Sequence, residues 1–225
     1  MIIFDEVSKH YPMRGGGRIT VLEPFSAIIR ERMNIGILGR NGAGKSTLMR
    51  LIAGGEPPST GEILREGRIS WPLGFSGGFN GSLSGRQNVR FIARLYDVDY
   101  EATAEFVERF AQIGRHFDEP MKTYSSGMRA RVAFGVSMAI EFDYYLIDEV
   151  IAVGDASFRS KCREVLDERR ERAGVLLVSH SATLLKQFCD VGGVLANGVL
   201  TFYTTLDEAI EVHARQQRVA AANLE

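Results

Sequence analysis

The chain has 225 residues, 45% of them hydrophobic and 24% charged, which is the composition of a globular protein with room for one large core. A net charge of -1 and a pI near 6.5 argue against nucleic acid held on a broad basic face. Two cysteines, Cys162 and Cys189, are too few for a disulfide framework or a metal cluster and read as reduced, unpaired thiols. "MIIFDEVSKHY" lacks the basic start and long apolar run of a signal peptide, and no stretch approaches the ~20 apolar residues that span a bilayer. The chain is therefore expected to be soluble, with any membrane-spanning part supplied by a partner.

"IIFDEV" (2–7) predicts an opening strand, and "RITVLEPFSAIIRERM" (18–33) two short strands broken at Pro24. "RGGGR" (14–18) between them reads as a flexible hairpin tip, since no helix follows it. "MNIGILG" (33–39) is a continuous apolar run ending in glycine, as a buried parallel strand requires, and "KSTLMRLIAGG" (45–55) predicts a helix with a glycine stop. "GEIL" and "GRISWPL" are short strands. Trp71, the only tryptophan, fits either a core position or a partly exposed docking surface.

From about Ser84 to Ala139 the pattern turns helical, which predicts a helical subdomain over about 84–141 inserted into a single domain spanning 1–225. "YYLID" (144–148) and "GVLLVSH" (174–180) are strands, each trailed by a helix, and the charge run "CREVLDERRERAG" (162–174) reads as a solvated helix face. "GGVLANGVLTFY" predicts a hairpin turning at Asn197-Gly198. Strands alternating with helices imply an α/β fold with a mostly parallel sheet, beside an antiparallel β element.

"GRNGAGKST" matches the phosphate-loop pattern G-x-x-x-x-G-K-[ST] over Gly39, Arg40, Asn41, Gly42, Ala43, Gly44, Lys45, Ser46 and Thr47. Glycines let backbone N–H groups turn inward around phosphate oxygens, Lys45 reaches the β- and γ-phosphates, and the Ser46 hydroxyl is a Mg²⁺ ligand. "YYLIDEV" delivers two adjacent carboxylates from a buried strand: Asp148 to hold Mg²⁺, Glu149 to polarise the water that attacks the γ-phosphate. His180 ends a strand expected beside that of Asp148, in reach of the γ-phosphate as a donor. His10, His116 and His213 receive no role. "KTYSSGMRAR" (122–131) opens a further helix with hydroxyls, a second anion site some eighty residues downstream of the first.

The order of these motifs resembles the ATP-binding cassette ATPases over most of the chain. The resemblance implies a head-to-tail homodimer in which ATP lies between the phosphate loop of one copy and the signature helix of the other. Ser125, Ser126 and Gly127 would then meet the partner's nucleotide, although the L-S-G-G-Q pattern has become Tyr124-Ser125-Ser126-Gly127-Met128. It also implies that Tyr11 in "SKHYP" stacks on adenine, that Asp155 in "AVGDASF" lies in the loop between protomers, and that His180 is the switch histidine. The glutamine that cassettes carry before the helical subdomain is missing from "SWPLGFSGGFNGSLSGRQNV" (70–89), Gln87 falling inside a helix start.

Together "WPLGFSGGF", "LSGRQN", "YSSGM" and "IDEVIAVGDASFRSKC" resemble the cassette subunits of capsular polysaccharide exporters. That resemblance implies two polytopic membrane subunits as partners, periplasmic export components reached through them, no nucleic acid, and a place on the cytoplasmic face of a bacterial inner membrane, with ATP and Mg²⁺ bound. An exporter of another substrate, a soluble cassette ATPase of DNA repair or translation, and a small phosphate-loop kinase are the alternatives. The repair and translation ATPases carry a long coiled coil or two cassettes in one chain, and a kinase leaves "YSSGM" unexplained.

Overall fold

The structure, a computed structural model, describes residues 1–73, 77–148 and 155–222. The chain divides into two compact units, one of Met1–Pro72, Asp143–Glu149 and Arg170–Glu225, the other of Leu73–Phe142 and Val150–Arg169.

In the first unit β1 (Ile2–Pro12) lies between β2 (Arg18–Ile29) and β4 (Thr60–Arg65) in a three-stranded antiparallel sheet. β1 runs well past the predicted 2–7, because register shifts between Phe4 and Lys9, with Glu6 at φ 47, keep it paired while it bends. β2 is unbroken at Pro24, contrary to the sequence expectation of two strands. It is an edge strand, and a missing N–H is tolerated there.

A six-stranded sheet follows the order β5 (Ile69–Pro72), β6 (Tyr144–Asp148), β7 (Gly174–Val178), β3 (Asn34–Leu38), β8 (Val191–Ala196), β9 (Val199–Tyr203). Its first five strands run parallel, and β9 pairs antiparallel with β8. The β8–β9 turn uses Asn197 (φ 50) and Gly198 (φ 79), both left-handed, as a two-residue primed turn requires.

β3, β6 and β7 are the continuous apolar runs, and their side chains are buried on both faces. Ile2, Phe4, Leu22, Ile35, Ile37, Leu48, Tyr144 and Leu176 form the centre of the core. Each such side chain contributes on the order of 1.5–3 kcal/mol of burial. Helices α1 (Lys45–Ile52), α6 (Ala182–Phe188) and α7 (Leu206–Ala222) complete this unit. α1 stops three residues before the predicted end, at the Gly54-Gly55 pair.

The second unit holds α2 (Gly85–Leu95), α3 (Tyr100–Ala111), α4 (Ser126–Ala139) and most of α5 (Ala156–Arg170). α5 starts six residues before the charge run that signals it. Phe110 is its hub, stacked on Phe134 with ring centroids 5.9 Å apart and edge-on to Phe158 at 5.3 Å. Gln87 is the third residue of a capping box: its side chain accepts from Ser84 N at 2.9 Å while Gln87 N donates to Ser84 Oγ at 3.1 Å. Among the described residues no helix is long and apolar enough to cross a membrane.

Both cysteines are unpaired and buried, and burial pushes each thiol up to about 12. Neither is a nucleophile near neutral pH. An aromatic disulfide reagent at pH 8 is expected to titrate no thiol in the native protein and two once guanidinium unfolds it; rapid labelling of the native protein would contradict the packing.

Candidate nucleotide site

Parallel pairing aligns the ends of three central strands. Asp148 of β6 pairs with Val178 of β7, and Val178 with Ile37 of β3. Two residues beyond this row lie Gly39, which opens the phosphate loop, and His180, which is exposed. The C-terminal edge of a parallel sheet is where α/β proteins bind ligands, because loops and helix N-termini converge there.

The loop reaches α1 through Gly42 (φ 81) and Gly44 (φ 104), conformations that favour glycine. Packing constrains two of its glycines as well. A Cβ on Gly39 would lie 2.5 Å from the Leu195 carbonyl oxygen, and one on Gly44 would lie 2.8 Å from Val21 Cγ1. β8 and β2 thus back the loop. The Lys45 ammonium donates to the carbonyls of Gly39 (2.7 Å) and Arg40 (3.0 Å), inside the turn it would share with phosphate. The Ser46 hydroxyl donates to Asp148 Oδ2 at 3.2 Å, joining the loop to β6. A hydroxyl and a carboxylate are hard oxygen donors, the kind that suits Mg²⁺ when substrate phosphates and water complete its shell. Glu149 lies outside the described residues, as do residues 74–76 and 150–154.

Tyr11, near the end of β1, is half-buried. Its hydroxyl donates to Glu56 Oε2 (2.9 Å), and Arg50 of α1 reaches the same hydroxyl through Nη2 (3.3 Å) and Glu56 Oε2 through Nε (3.1 Å). Lys9 pairs with Glu56 Oε1 at 2.9 Å. Lys9 first, and then the Tyr11 and Arg50 hydrogen bonds, hold the Glu56 carboxyl down at about 2. Neither Arg50 nor Glu56 belongs to a motif, so sequence reasoning passed over both.

Within the second unit, Ser125 is the N-cap of α4 and its hydroxyl accepts from Met128 N at 3.1 Å; Ser125 and Ser126 are exposed and Gly127 half-buried in the first turn. Tyr124 has a separate task. It is 4% exposed, accepts from Gly85 N at 3.1 Å and donates to the Phe117 carbonyl at 3.2 Å, tying the start of α4 to the start of α2. A leucine has no hydroxyl for those bonds. Asp155 caps α5, accepting from Phe158 N at 2.9 Å, and pairs with Arg131 of α4 at 2.6 Å. The Phe158 N–H, ahead of the Arg131 charge, keeps its carboxyl below the usual range.

His213, without a sequence role, is buried on α7 and hydrogen-bonded to Gln217 at 2.9 Å. Both line an open cavity of about 680 Å³ shared with Arg40, Asn41 and Asn197. Trp71 is half-buried on the edge strand β5.

The profile of the family described as "ABC transporter" matches residues 22–152. The chain is 53% identical over 213 residues to the capsule polysaccharide export ATP-binding protein CtrD of Neisseria meningitidis serogroup B, covering 95% of this chain and 98% of that protein. It is 49% identical to the ATP-binding protein BexA of Haemophilus influenzae, over 97% of this chain and all of that one. It is 49% identical to a polysialic acid transport ATP-binding protein, KpsT, of Escherichia coli, over 93% and 97%. Among solved structures, a dimeric post-hydrolysis state of the ATP-binding cassette MJ0796 bound to ADP and Pi superposes with a TM-score of 0.78. It is 20% identical, with 92% of this chain and 99% of that one covered. By profile, by near-full-length relatives and by fold, the chain belongs to the ABC transporter family.

Proposed function

We propose that this protein is the ATPase subunit of a bacterial capsular polysaccharide exporter, working as a head-to-tail pair of cassettes on two separate membrane subunits at the cytoplasmic face of the inner membrane. The near-full-length relatives named for capsule polysaccharide export support the substrate class. The observation that carries the chemistry is the Ser46–Asp148 contact, which brings residues 102 apart in sequence to one point beside the loop lysine.

In this reading the loop N–H groups and Lys45 hold the β- and γ-phosphates of ATP. Ser46 and Asp148 would hold Mg²⁺, which neutralises developing phosphate charge when bound. Glu149 accepts a proton from the attacking water. His180, at the edge of the adjacent strand, donates to the γ-phosphate. Tyr11 stacks on adenine. Ser125, Ser126 and Gly127 of the other copy face the same phosphate, with Asp155 in the loop between copies. Hydrolysis of this kind needs positioning and charge stabilisation more than covalent chemistry from the protein.

Coexpression with the polytopic membrane proteins encoded beside it tests the assignment. Copurification with two such subunits, and ATP hydrolysis that responds to them, is the expected result. A chain that hydrolyses ATP but is recovered with no membrane protein would overturn the exporter role.

A further inference from the structure

We infer that Glu56 and Arg50 are positioning residues that fix the Tyr11 ring relative to the phosphate loop and so set the affinity for the nucleotide base. The inference rests on the reading in which Tyr11 stacks on adenine. Stacking needs a ring face and makes no use of the hydroxyl. Yet the Tyr11 hydroxyl is held from two sides, donating to Glu56 Oε2 at 2.9 Å and accepting from Arg50 Nη2 at 3.3 Å.

The same Arg50 Nη2 donates to Thr47 Oγ1 at 3.0 Å, and Thr47 closes the phosphate-loop pattern. A chain of polar contacts thus runs from the aromatic ring through Glu56 and Arg50 into the loop. Arg50 stands one helical turn after Thr47 on α1, so its own position follows the loop's.

Glu56 is anchored in turn. Its other oxygen, Oε1, takes Lys9 at 2.9 Å, and Lys9 also donates to the Pro57 carbonyl at 2.8 Å. Lys9 and Tyr11 are two apart on β1 and so leave the strand on one face, with Lys9 Nζ 5.1 Å from the Tyr11 ring centre. Three elements that are separate in sequence therefore hold one ring: the end of β1, the exposed turn of α1, and the loop after α1. A tyrosine on an unanchored hairpin end would sample several rotamers and lose part of its stacking to ordering entropy. Charge-assisted hydrogen bonds to the hydroxyl remove that cost before the nucleotide arrives.

The test measures binding of ATP and of inorganic tripolyphosphate, each with Mg²⁺, to the full chain by calorimetry. Tyr11→Phe leaves every charge in place and removes only the hydroxyl. It is expected to weaken ATP by about two- to tenfold, the scale of one hydrogen bond, and to leave tripolyphosphate unchanged. Tyr11→Ala is expected to weaken ATP by about 5- to 30-fold. Glu56→Ala should match the loss in Tyr11→Phe, and add nothing when combined with it. Glu56→Gln keeps an oxygen for the tyrosine O–H and should recover most of the ATP affinity.

Three results would overturn the inference. One is wild-type ATP affinity in Tyr11→Phe alongside a loss in Tyr11→Ala, which leaves the base reading intact and removes the positioning. Another is a Glu56→Gln or Glu56→Ala loss shared equally by tripolyphosphate, which marks the network as support for the loop alone. The third is wild-type affinity in Tyr11→Ala, which removes the base reading itself.

Discussion

A mixture of two disabled variants is expected to hydrolyse ATP in a single turnover that neither variant achieves alone. Lys45→Ala removes the ammonium that sits in the phosphate loop, 2.7 Å from the Gly39 carbonyl. Ser125→Arg places a bulky cation where the exposed N-cap hydroxyl of α4 stands. In the head-to-tail homodimer proposed above, both composite sites of each variant would carry one defect, and loss of a preorganised group at the γ-phosphate costs on the order of 10²–10³ in rate. In the mixed dimer one site carries both defects. The other joins the intact loop of the Ser125 variant to the intact signature helix of the Lys45 variant. Hydrolysis should return at that site alone, so a single-turnover measurement is the one that reads it. Mixed dimers are first verified by a tagged pull-down. If they form and the mixture is no faster than either parent, α4 serves no neighbouring nucleotide.

Glu149→Gln is the second large effect. On the proposed function Glu149 is the base, so turnover should fall by about two orders of magnitude or more while ATP affinity stays near wild type. Closure then no longer ends in cleavage, so the variant should accumulate as an ATP-bound dimer by size-exclusion chromatography. Near-normal turnover would assign the base to another group. Asp148→Asn separates the neighbouring carboxylates: it should weaken Mg²⁺-dependent binding itself, because its Oδ2 is the oxygen that meets Ser46.

The central strands were legible in the sequence because their signals are local. "NIGIL", "YYLI" and "GVLLV" are unbroken apolar runs, and a strand buried on both faces leaves no other pattern. The turn at Asn197-Gly198 was equally direct, since two left-handed residues in succession suit few side chains. β2 was misread because Pro24 breaks a strand only where its missing N–H has a partner to lose, and that depends on which strand lies at the edge. The reach of β1 was hidden by a bulge that no residue type announces. Tyr11 could be singled out by resemblance, but Glu56 could not: it lies 45 residues away, and the contact exists only once β1 is paired and α1 has ended. His213 was named and given no role for the same reason, its burial being decided by where α7 packs. Tyr124, met as a departure from the signature pattern, turned out to be a packed tie between α4 and α2.

The backing of the phosphate loop changes what its glycines can tell a reader of related sequences. At Gly39 the Leu195 carbonyl, and at Gly44 the Val21 side chain, occupy the space a methyl group would need. A descendant that had abandoned ATP would still be held to glycine at both positions by the β8 and β2 strands behind them. These two residues would outlast the activity as a trace of the fold. Lys45 and Ser46 are held by hydrogen bonds to the loop and to Asp148, and no lack of space of that kind fixes their identity. In a degenerate copy of this protein the lysine and serine should drift first, so their loss beside intact glycines would distinguish a retired cassette from a working one.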